Sequence, residues 1–294
     1  MQKKIRKAVF PVAGLGTRSL PATKATPKEM LPIVDKPIIQ YAVEEAVAAG
    51  ITELIFVTSV SKRSIEDHFD SNYELEAKLI QSGKLDSLEM IRNIPPRGAH
   101  CVYIRQHNPL GLGHAVLCAR DIIGDEDFAV ILADDLIANG NKLCLEQMVD
   151  VHAKINSSIL ALQEVPPIET EKYGIAGLAD KNLKIGQASE ITTIVEKPKH
   201  APSNFAVIGR YILSPKIFDF LANTKAGAIG EIQLTDGIAN LLKHEKVYGY
   251  FFEGTRYDCG NKFGCLQAII AYAQKHPEIG KQFKDYLRNL EICR

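Results

Sequence analysis

The first half of the chain alternates short apolar runs rich in β-forming residues with segments of helical periodicity. The apolar runs are KAVFPVA, ELIFVTSV, CVYIRQ and FAVILADD. Between the first two, the spacing of apolar residues predicts a helix from Pro37 to Gly50, with proline at its start and glycine at its end. Strands that alternate with helices form βαβ units, so this pattern predicts an α/β fold with a mainly parallel sheet.

The second half of the chain is richer in strands and then returns to helices. SSILALQEV, YGIAGLA, ITTIVEK and FAVIGRYIL predict inserted strands, and helical patterns follow over Glu231 to His244 and Lys262 to His276. The weak periodicity from about Ile80 to Ala99 predicts an excursion from the sheet. Because no Gly/Ser/Pro-rich linker divides the chain, we expect one domain over residues 1–294, with a core over about 4–260 and a C-terminal helical segment over about 261–294.

Charge and cysteine content exclude several classes of function. Lysine plus arginine number 35 and aspartate plus glutamate number 35, so no global field attracts nucleic acid or an anionic membrane. No apolar run approaches the roughly 20 residues that a membrane-spanning helix requires. The six cysteines form no CxxC pair or zinc pattern, and MQKKIRK does not open a signal peptide. We therefore expect reduced thiols, a cytoplasmic location and no nucleic-acid or membrane partner.

The glycine turn after the first predicted strand resembles a dinucleotide-binding fingerprint only in part. Gly14 and Gly16 follow the strand, and Asp35 lies about 20 residues later, as that fingerprint requires. Ser19 occupies the third glycine position, however, and three nearby prolines interrupt the helix that should carry the pyrophosphate. The sequence GxxxxGK[ST] does not occur either, so a Walker P-loop is excluded.

What remains is a glycine turn on a proline-stiffened loop that carries Arg18, Lys24 and Lys28. Its backbone amides and cations could hold a phosphate chain. The same composition is also typical of a tight turn with solvated cations. The segment alone leaves both interpretations open.

Two pairs of adjacent charged residues elsewhere stand at the ends of predicted strands, although a Glu-Lys pair taken alone is usually solvated. Asp134 and Asp135 end the strand FAVIL, where a sheet places ligands and where Mg²⁺ finds carboxylates, although such a pair is also common in turns and caps. Glu196 and Lys197 are adjacent in VEKP, and alternation would direct their side chains to opposite faces. Both reach one ligand only if Pro198 marks a strand end or bulge.

Taken whole, VAGLGTRSLPATKATPKEMLPIVDKPIIQYAVEEA resembles the signature of the sugar-1-phosphate nucleotidylyltransferases, in the version of their uridylyl-transferring branch. The resemblance continues through RQHNPLGLGHAVLCAR, LADDLI, IVEKP, GEIQLTD and RYDCGNKFGCLQA, in family order from about Lys4 to Gln274. It implies a Rossmann-like, mixed and mainly parallel sheet flanked by helices. It also implies that UTP and glucose 1-phosphate react to give UDP-glucose and pyrophosphate, with Mg²⁺ as cofactor and a homodimer or homotetramer as the assembly.

The matching motifs imply site residues for each part of the reaction. Residues implied to hold the nucleotide are Ala13, Gly14, Gly16, Thr17, Arg18, Lys28, Glu29, Gln106, Gly111 and Asp135. Residues implied to hold the sugar phosphate are Gly174, Glu196, Lys197 and Gly209. The implied metal ligands are Asp134 and Asp258, and the implied catalytic cations are Arg18, Lys28 and Lys197.

Within the nucleotide set, the resemblance implies a division of roles. Ala13, Gly14 and Gln106 would meet the uracil, with Glu29 on the nucleoside. The loop from Gly16 to Arg18 would hold the β and γ phosphates. Lys28 would reach the phosphates near the reacting α phosphorus, a role that suits a mobile point charge.

Departures from the family pattern occur at Ala133, Asn261 and Cys265, and none removes an implied ligand. The alternatives are the same chemistry with dTTP or another hexose 1-phosphate, and a non-catalytic regulatory relative. Lys28 is followed by Glu29, whereas the thymidylyl branch typically carries glutamine there, which favours the uridylyl branch. A complete set of site residues disfavours the regulatory alternative.

Overall fold

The structure, a computed structural model, describes residues 4–138, 142–224 and 230–292. The strands are β1 (Lys7–Pro11), β2 (Pro32–Ile33), β3 (Lys36–Pro37), β4 (Glu53–Thr58), β5 (His100–Arg105), β6 (Phe128–Ile131), β7 (Asp135–Ala138), β8 (Ser158–Glu164), β9 (Gly174–Leu178), β10 (Ala188–Glu196), β11 (Phe205–Leu213), β12 (Val247–Phe251) and β13 (Thr255–Asp258). The helices are α1 (Ile38–Ala48), α2 (Arg63–His68), α3 (Tyr73–Gln81), α4 (Leu85–Arg92), α5 (Leu112–Leu117), α6 (Arg120–Ile123), α7 (Cys144–Ile155), α8 (Ile217–Asn223), α9 (Leu234–Leu241), α10 (Lys262–Lys275) and α11 (Gly280–Ile292).

A mixed sheet in the order β5-β4-β1-β6-β11-β8-β12-β10-β9 forms the centre of the fold. The strands β5, β4, β1 and β6 are parallel neighbours, as the alternating pattern predicts. The long strand β11 then runs antiparallel to β6, β8 and β9. The predicted α/β class, mixed sheet, inserted strands and C-terminal helices are confirmed. Among the described strands of this sheet, four pairings are parallel and five are antiparallel, so the predicted mainly parallel pattern holds only for β5, β4, β1 and β6, because β10 and β11 pair antiparallel with their neighbours.

Alternation along the strands divides the core between the two faces of the sheet. Val9 points to a cluster closed by α5, α8 and α9. Its neighbours Ala8 and Phe10 point to the opposite cluster, closed by α1, α2 and α7. All three side chains are 0% exposed. Helices on both faces leave the ends of the strands open, and ligands of α/β proteins bind at the carboxyl ends.

The weakly periodic stretch from about Ile80 to Ala99 contains the helix α4, and α3 lies almost entirely before this stretch. The two helices contact each other. Asn72 caps α3, since its side-chain oxygen accepts a hydrogen bond from Leu75 N at 3.0 Å. None of the side chains of α3 is buried, so this helix lies on the surface of the fold. The helix predicted from Glu231 to His244 is shorter than expected, extending from Leu234 to Leu241.

The C-terminal segment consists of α10 and α11, which contact each other. Residues Cys293 and Arg294, the end of the predicted segment, lie outside the described residues. Within the described ranges, no helix combines the length and the apolar character needed to cross a membrane.

Candidate active site

Ten of the sixteen predicted site residues line one of two cavities, a cleft of ≈ 820 Å³ and a smaller cavity of ≈ 300 Å³. The residues that line neither cavity are Gly14, Gly16, Thr17, Lys28, Glu29 and Gly111. The predicted residues that line the cleft are Arg18, Asp134, Asp135, Gly174, Glu196, Lys197, Gly209 and Asp258. The smaller cavity is lined by Ala13 and Gln106, which the sequence assigns to the base.

The glycine loop after β1 is ordered by its own contacts rather than by a following helix. Gly16 adopts the left-handed conformation, with φ 67°, and opens a 3₁₀ turn over Thr17–Ser19. Its carbonyl accepts a hydrogen bond from Thr23 Oγ1 at 2.7 Å. A side chain at Gly16 would lie 3.2 Å from Lys28 Cβ, so glycine allows the loop to fold closely against Lys28.

Lys28 joins this loop to the acidic strand end. Its ammonium donates a hydrogen bond to Asp134 Oδ2 at 2.7 Å. Burial by itself would lower the pKa of Lys28, but Asp134 and Glu29 outweigh that effect and raise it. Burial would likewise raise the pKa of Asp134, but the Lys28 ammonium lowers it below the ordinary value. Both groups are therefore charged at neutral pH.

Asp134 and Asp258 face one small space beside Gly260. A Cβ built on Gly260 would lie 2.9 Å from Asp134 Oδ2 and 2.9 Å from Asp258 Oδ1, with Arg18 Nη2 at 3.4 Å. Only glycine leaves this space free. Over the described ranges, no group of three or more His, Cys, Asp or Glu residues could hold a metal ion. Two carboxylates that leave the remaining positions to substrate oxygens fit a small divalent cation such as Mg²⁺.

Asp135 differs from its neighbour because both of its carboxylate oxygens are already bound within the protein. Oδ2 accepts a hydrogen bond from Gly209 N at 2.7 Å, and Oδ1 accepts one from Arg256 Nε at 2.6 Å. A Cβ at Gly209 would lie 2.7 Å from that Oδ2, so glycine is required there by Asp135 itself. The guanidinium of Arg256 also extends towards Asp258 Oδ2, at 3.8 Å.

Arg256 is a site residue that the sequence did not predict. Burial would lower its pKa, but the neighbouring Asp135 and the hydrogen bond to the Tyr173 hydroxyl raise it. Arg256 stands two positions before Asp258 in RYDCG. Its charge close to an implied metal ligand is the feature of the sequence that could have identified it as a site residue.

The backbone at Lys197 explains how the adjacent side chains of Glu196 and Lys197 in VEKP reach the same side of the strand. The strand β10 ends at Glu196, and Lys197 has φ 44°, a left-handed conformation that is uncommon for a residue with a side chain. This inversion brings the two side chains into the same cleft, with Lys197 Nζ 3.2 Å from Glu196 Oε1. The strand end that the sequence requires at this motif is present.

Thr235, at the start of α9, is a second residue that the sequence did not single out. Its hydroxyl donates a hydrogen bond to Glu196 Oε2 at 2.7 Å. A Cβ at Gly174 would lie 3.1 Å from Thr235 Oγ1 and 3.2 Å from Glu196 Oε2, so glycine keeps this side of the carboxylate open. Thr235 lies within the motif GEIQLTD, and its hydroxyl is the feature of the sequence that could have identified it as a site residue.

On the side of the smaller cavity, Gln106 is 7% exposed, and its amide donates a hydrogen bond to Gly111 O at 3.2 Å. Gly111 has φ 98°, and a Cβ there would lie 2.8 Å from Ile232 O, so glycine is needed for packing against that segment. Glu29 lines neither the cleft nor the smaller cavity. It is buried, and its carboxylate pairs with Lys62.

The chain is similar to known proteins both in sequence and in fold. A sequence model of a family described as nucleotidyl transferase matches residues 7–275. The chain is 49% identical over 290 residues to the UTP–glucose-1-phosphate uridylyltransferase of Bacillus subtilis, which covers 98% of each chain. A solved UTP-bound UGPase from Acinetobacter baumannii is similar with a TM-score of 0.92 and 44% identity over 97% of this chain and 99% of that one. A solved UDP-glucose pyrophosphorylase complexed with UDP-glucose is similar with a TM-score of 0.84 and 46% identity over 92% and 100%.

Proposed function

The chain belongs to the nucleotidyl transferase family, and we propose on that basis that it transfers a uridylyl group from UTP to glucose 1-phosphate. The products are UDP-glucose and pyrophosphate. The observation that carries the proposal is full-length similarity to uridylyltransferases, including one solved with UTP and one with UDP-glucose, combined with a cleft in which the family's cations and carboxylates converge.

The chemistry requires positioning and charge neutralisation more than proton transfer. The attacking oxygen of glucose 1-phosphate is already anionic at neutral pH, so the reaction needs no general base. The protein must bring two anions together in line and stabilise the charge that develops on the leaving pyrophosphate. Arg18 and Lys197, which both line the cleft, supply cations that support this requirement.

On the nucleotide side, Arg18 and Lys28 are the proposed cations, with the backbone of Gly16 and Thr17 at the β and γ phosphates. The ammonium of Lys28 is held at Asp134 by the 2.7 Å hydrogen bond, close to where the α phosphate would lie. Ala13 and Gln106 are assigned to the uracil because they line the smaller cavity beside this loop.

On the sugar side, Glu196 is proposed to accept hydrogen bonds from glucose hydroxyls, and Lys197 to neutralise the attacking phosphate. The left-handed backbone at Lys197 supports this assignment, because an extended residue would direct its side chain away from Glu196. Such uncommon backbone conformations persist where the surrounding structure maintains them, and they concentrate at functional sites.

Nucleotidyltransferases generally use a divalent metal, and we propose Mg²⁺ held by Asp134 and Asp258. When bound, Mg²⁺ supplies a Lewis-acid charge that polarises the reacting phosphate oxygens. The space beside Gly260 supports this position, since both carboxylates border it. Asp135 is proposed to support the site by fixing Arg256 and the backbone of Gly209.

We also propose a cytoplasmic homodimer or homotetramer whose subunits meet through the C-terminal helices. The free thiols among the described residues, at Cys101, Cys118, Cys144, Cys259 and Cys265, support a reducing compartment. Exposed apolar side chains on α10 and α11, such as Phe263 and Tyr286, support the interface. Light scattering during gel filtration measures the assembly.

The function is tested by measuring pyrophosphate release from a panel of nucleotides and sugar phosphates with Mg²⁺. We expect UTP with glucose 1-phosphate to react far faster than any other pairing. Faster reaction with dTTP would move the chain to the thymidylyl branch, and no turnover with any pairing would support a regulatory role. Either result would contradict the proposal.

A further inference from the structure

We propose that Lys62 is a positioning residue for this reaction, because its buried ion pair with Glu29 fixes Lys28 relative to the base-side cavity. The inference rests on the proposed function, since it concerns how the nucleotide is held. Lys62 lies after β4, outside the glycine loop and outside every motif that the sequence assigns to the site.

The pair is buried more completely than its charges would ordinarily allow. Lys62 and Glu29 are each 2% exposed, and Lys62 Nζ donates a hydrogen bond to Glu29 Oε2 at 2.8 Å. The other oxygen, Oε1, has no hydrogen-bond partner and is shielded from solvent. A buried carboxylate is costly without a cation beside it, so Glu29 depends on Lys62 for its charge.

The two partners belong to segments that serve different parts of the substrate. Glu29 lies in the 3₁₀ turn Lys28–Met30, directly after the lysine that binds Asp134. Lys62 ends the 3₁₀ turn Val60–Lys62, and the residues before it, from Ser59 to Ser61, line the base-side cavity. The ion pair therefore joins the wall of the base cavity to the phosphate-binding lysine.

Lys28 and Glu29 are adjacent in one 3₁₀ turn, so the position of one residue determines that of the other. The hydrogen bond from Lys62 to Glu29 ties this turn to the turn Val60–Lys62. Without Lys62, the turn would lose this bond and would no longer hold Lys28 in place at Asp134. The reacting phosphates would then lose a correctly placed cation.

If Lys62 had a purely structural role, its replacement would lower stability without a selective effect on UTP. Lys7, another buried lysine, serves as the comparison. Lys7 is 8% exposed, donates hydrogen bonds to the carbonyls of Ile122 and Ile123, and pairs with Glu126 at 2.8 Å. It begins β1, at the end of the strand away from the glycine loop. Replacing either lysine should lower the stability of the fold, but of the two only Lys62 is linked, through Glu29, to the proposed nucleotide-binding residue Lys28.

The experiment compares Lys62→Met, Lys62→Arg and Lys7→Met in the full-length protein, with wild type assayed alongside. The measurements are kcat and KM for UTP and for glucose 1-phosphate, together with the melting temperature. For Lys62→Met we expect kcat/KM for UTP to fall about 100-fold, the loss typical of a small misplacement of a catalytic group, with KM for glucose 1-phosphate nearly unchanged. Lys62→Arg should recover most of the activity because it retains the charge, and Lys7→Met should lose melting temperature only.

The inference is overturned if Lys62→Met loses no more activity than Lys7→Met at a similar loss of melting temperature, or if KM for glucose 1-phosphate rises in parallel with KM for UTP. If Lys62→Met does not fold, as judged by circular dichroism, Lys62→Gln is assayed in the same way and must show the same selective loss for UTP. Failure of the proposed function is distinguishable, because it would appear as absence of turnover in wild type.

Discussion

Replacing Thr235 with valine tests how the cleft fixes the carboxylate assigned to the sugar. Thr235 Oγ1 donates a 2.7 Å hydrogen bond to Glu196 Oε2, whose partner oxygen lies 3.2 Å from Lys197 Nζ. Valine has nearly the shape of threonine but cannot donate this bond. Glu196 then retains Lys197 as its neighbour in the cleft, and its carboxylate is free to rotate towards that ammonium.

The expected magnitude follows from the charge of the acceptor. A hydrogen bond to an ionised group contributes about 1.5–3 kcal/mol, and about 1.4 kcal/mol corresponds to a factor of ten in an equilibrium constant. The side chain of Glu196 is 23% exposed, so water can replace part of the lost bond. We therefore expect the lower end of this range, which is about a tenfold rise in KM for glucose 1-phosphate.

The assay is pyrophosphate release at saturating UTP with glucose 1-phosphate varied, followed by the reverse arrangement. KM for UTP should stay within about twofold, since Thr235 hydrogen-bonds Glu196, which is assigned to the sugar. Thr235→Ser retains the hydroxyl and is the matched control. An unchanged KM for the sugar phosphate in Thr235→Val, or an equal loss in Thr235→Ser, would refute the reasoning.

Three further perturbations test other parts of the structure. Asp134→Ala should reduce kcat by about 10³-fold or more through loss of metal, measured as pyrophosphate release across a Mg²⁺ titration, and normal kinetics would contradict the site. Gly260→Ala should lower kcat/KM by about 100-fold with an unchanged circular dichroism spectrum, because its Cβ would lie 2.9 Å from oxygens of both Asp134 and Asp258. Burial lowers the pKa of His68 from its ordinary 6.5, so the unfolded chain binds more protons at mildly acidic pH. The stability that this shift contributes is present above about pH 6.5 and is lost as pH falls through the folded pKa. His68→Gln should therefore show a smaller fall in urea midpoint between about pH 7.5 and about pH 5.5 than wild type, and an equal fall would exclude the effect.

The sheet could be predicted from the sequence because each strand is marked by the residues within it and directly beside it. Each parallel strand is a short apolar run bounded by turn residues, and α1 has apolar spacing, a proline at its start and a glycine just past its end. The helix α4 was not predicted within the stretch from Ile80 to Ala99, because Leu88 is its single buried residue. Local pattern is informative only where an element buries one face.

The site could be predicted in part, and the limits have physical causes. A strand end with paired carboxylates identifies Asp134 as a candidate, because sheet topology fixes where such ends lie. The burial of Glu29 with Lys62 was not predictable, since their pairing depends on how two separate turns pack. Nor does a motif indicate that Asp135 is bound through both oxygens by Gly209 and Arg256, which lie far apart along the chain.

One short strand pair brings the charged groups of the cleft together. The strands β7 and β13 form a separate two-stranded sheet in which Asp258 is paired with Asp135, which places Asp258 beside Asp134. Three carboxylates in so small a space would repel one another strongly. Arg256 neutralises Asp135, and Lys28 neutralises Asp134. Lys28, one of the cations proposed for the reaction, therefore also stabilises the folded cleft through Asp134. Under the proposed function, phosphates of the substrate would compete with Asp134 for Lys28, so we expect activity to depend strongly on the groups that set the position of Lys28.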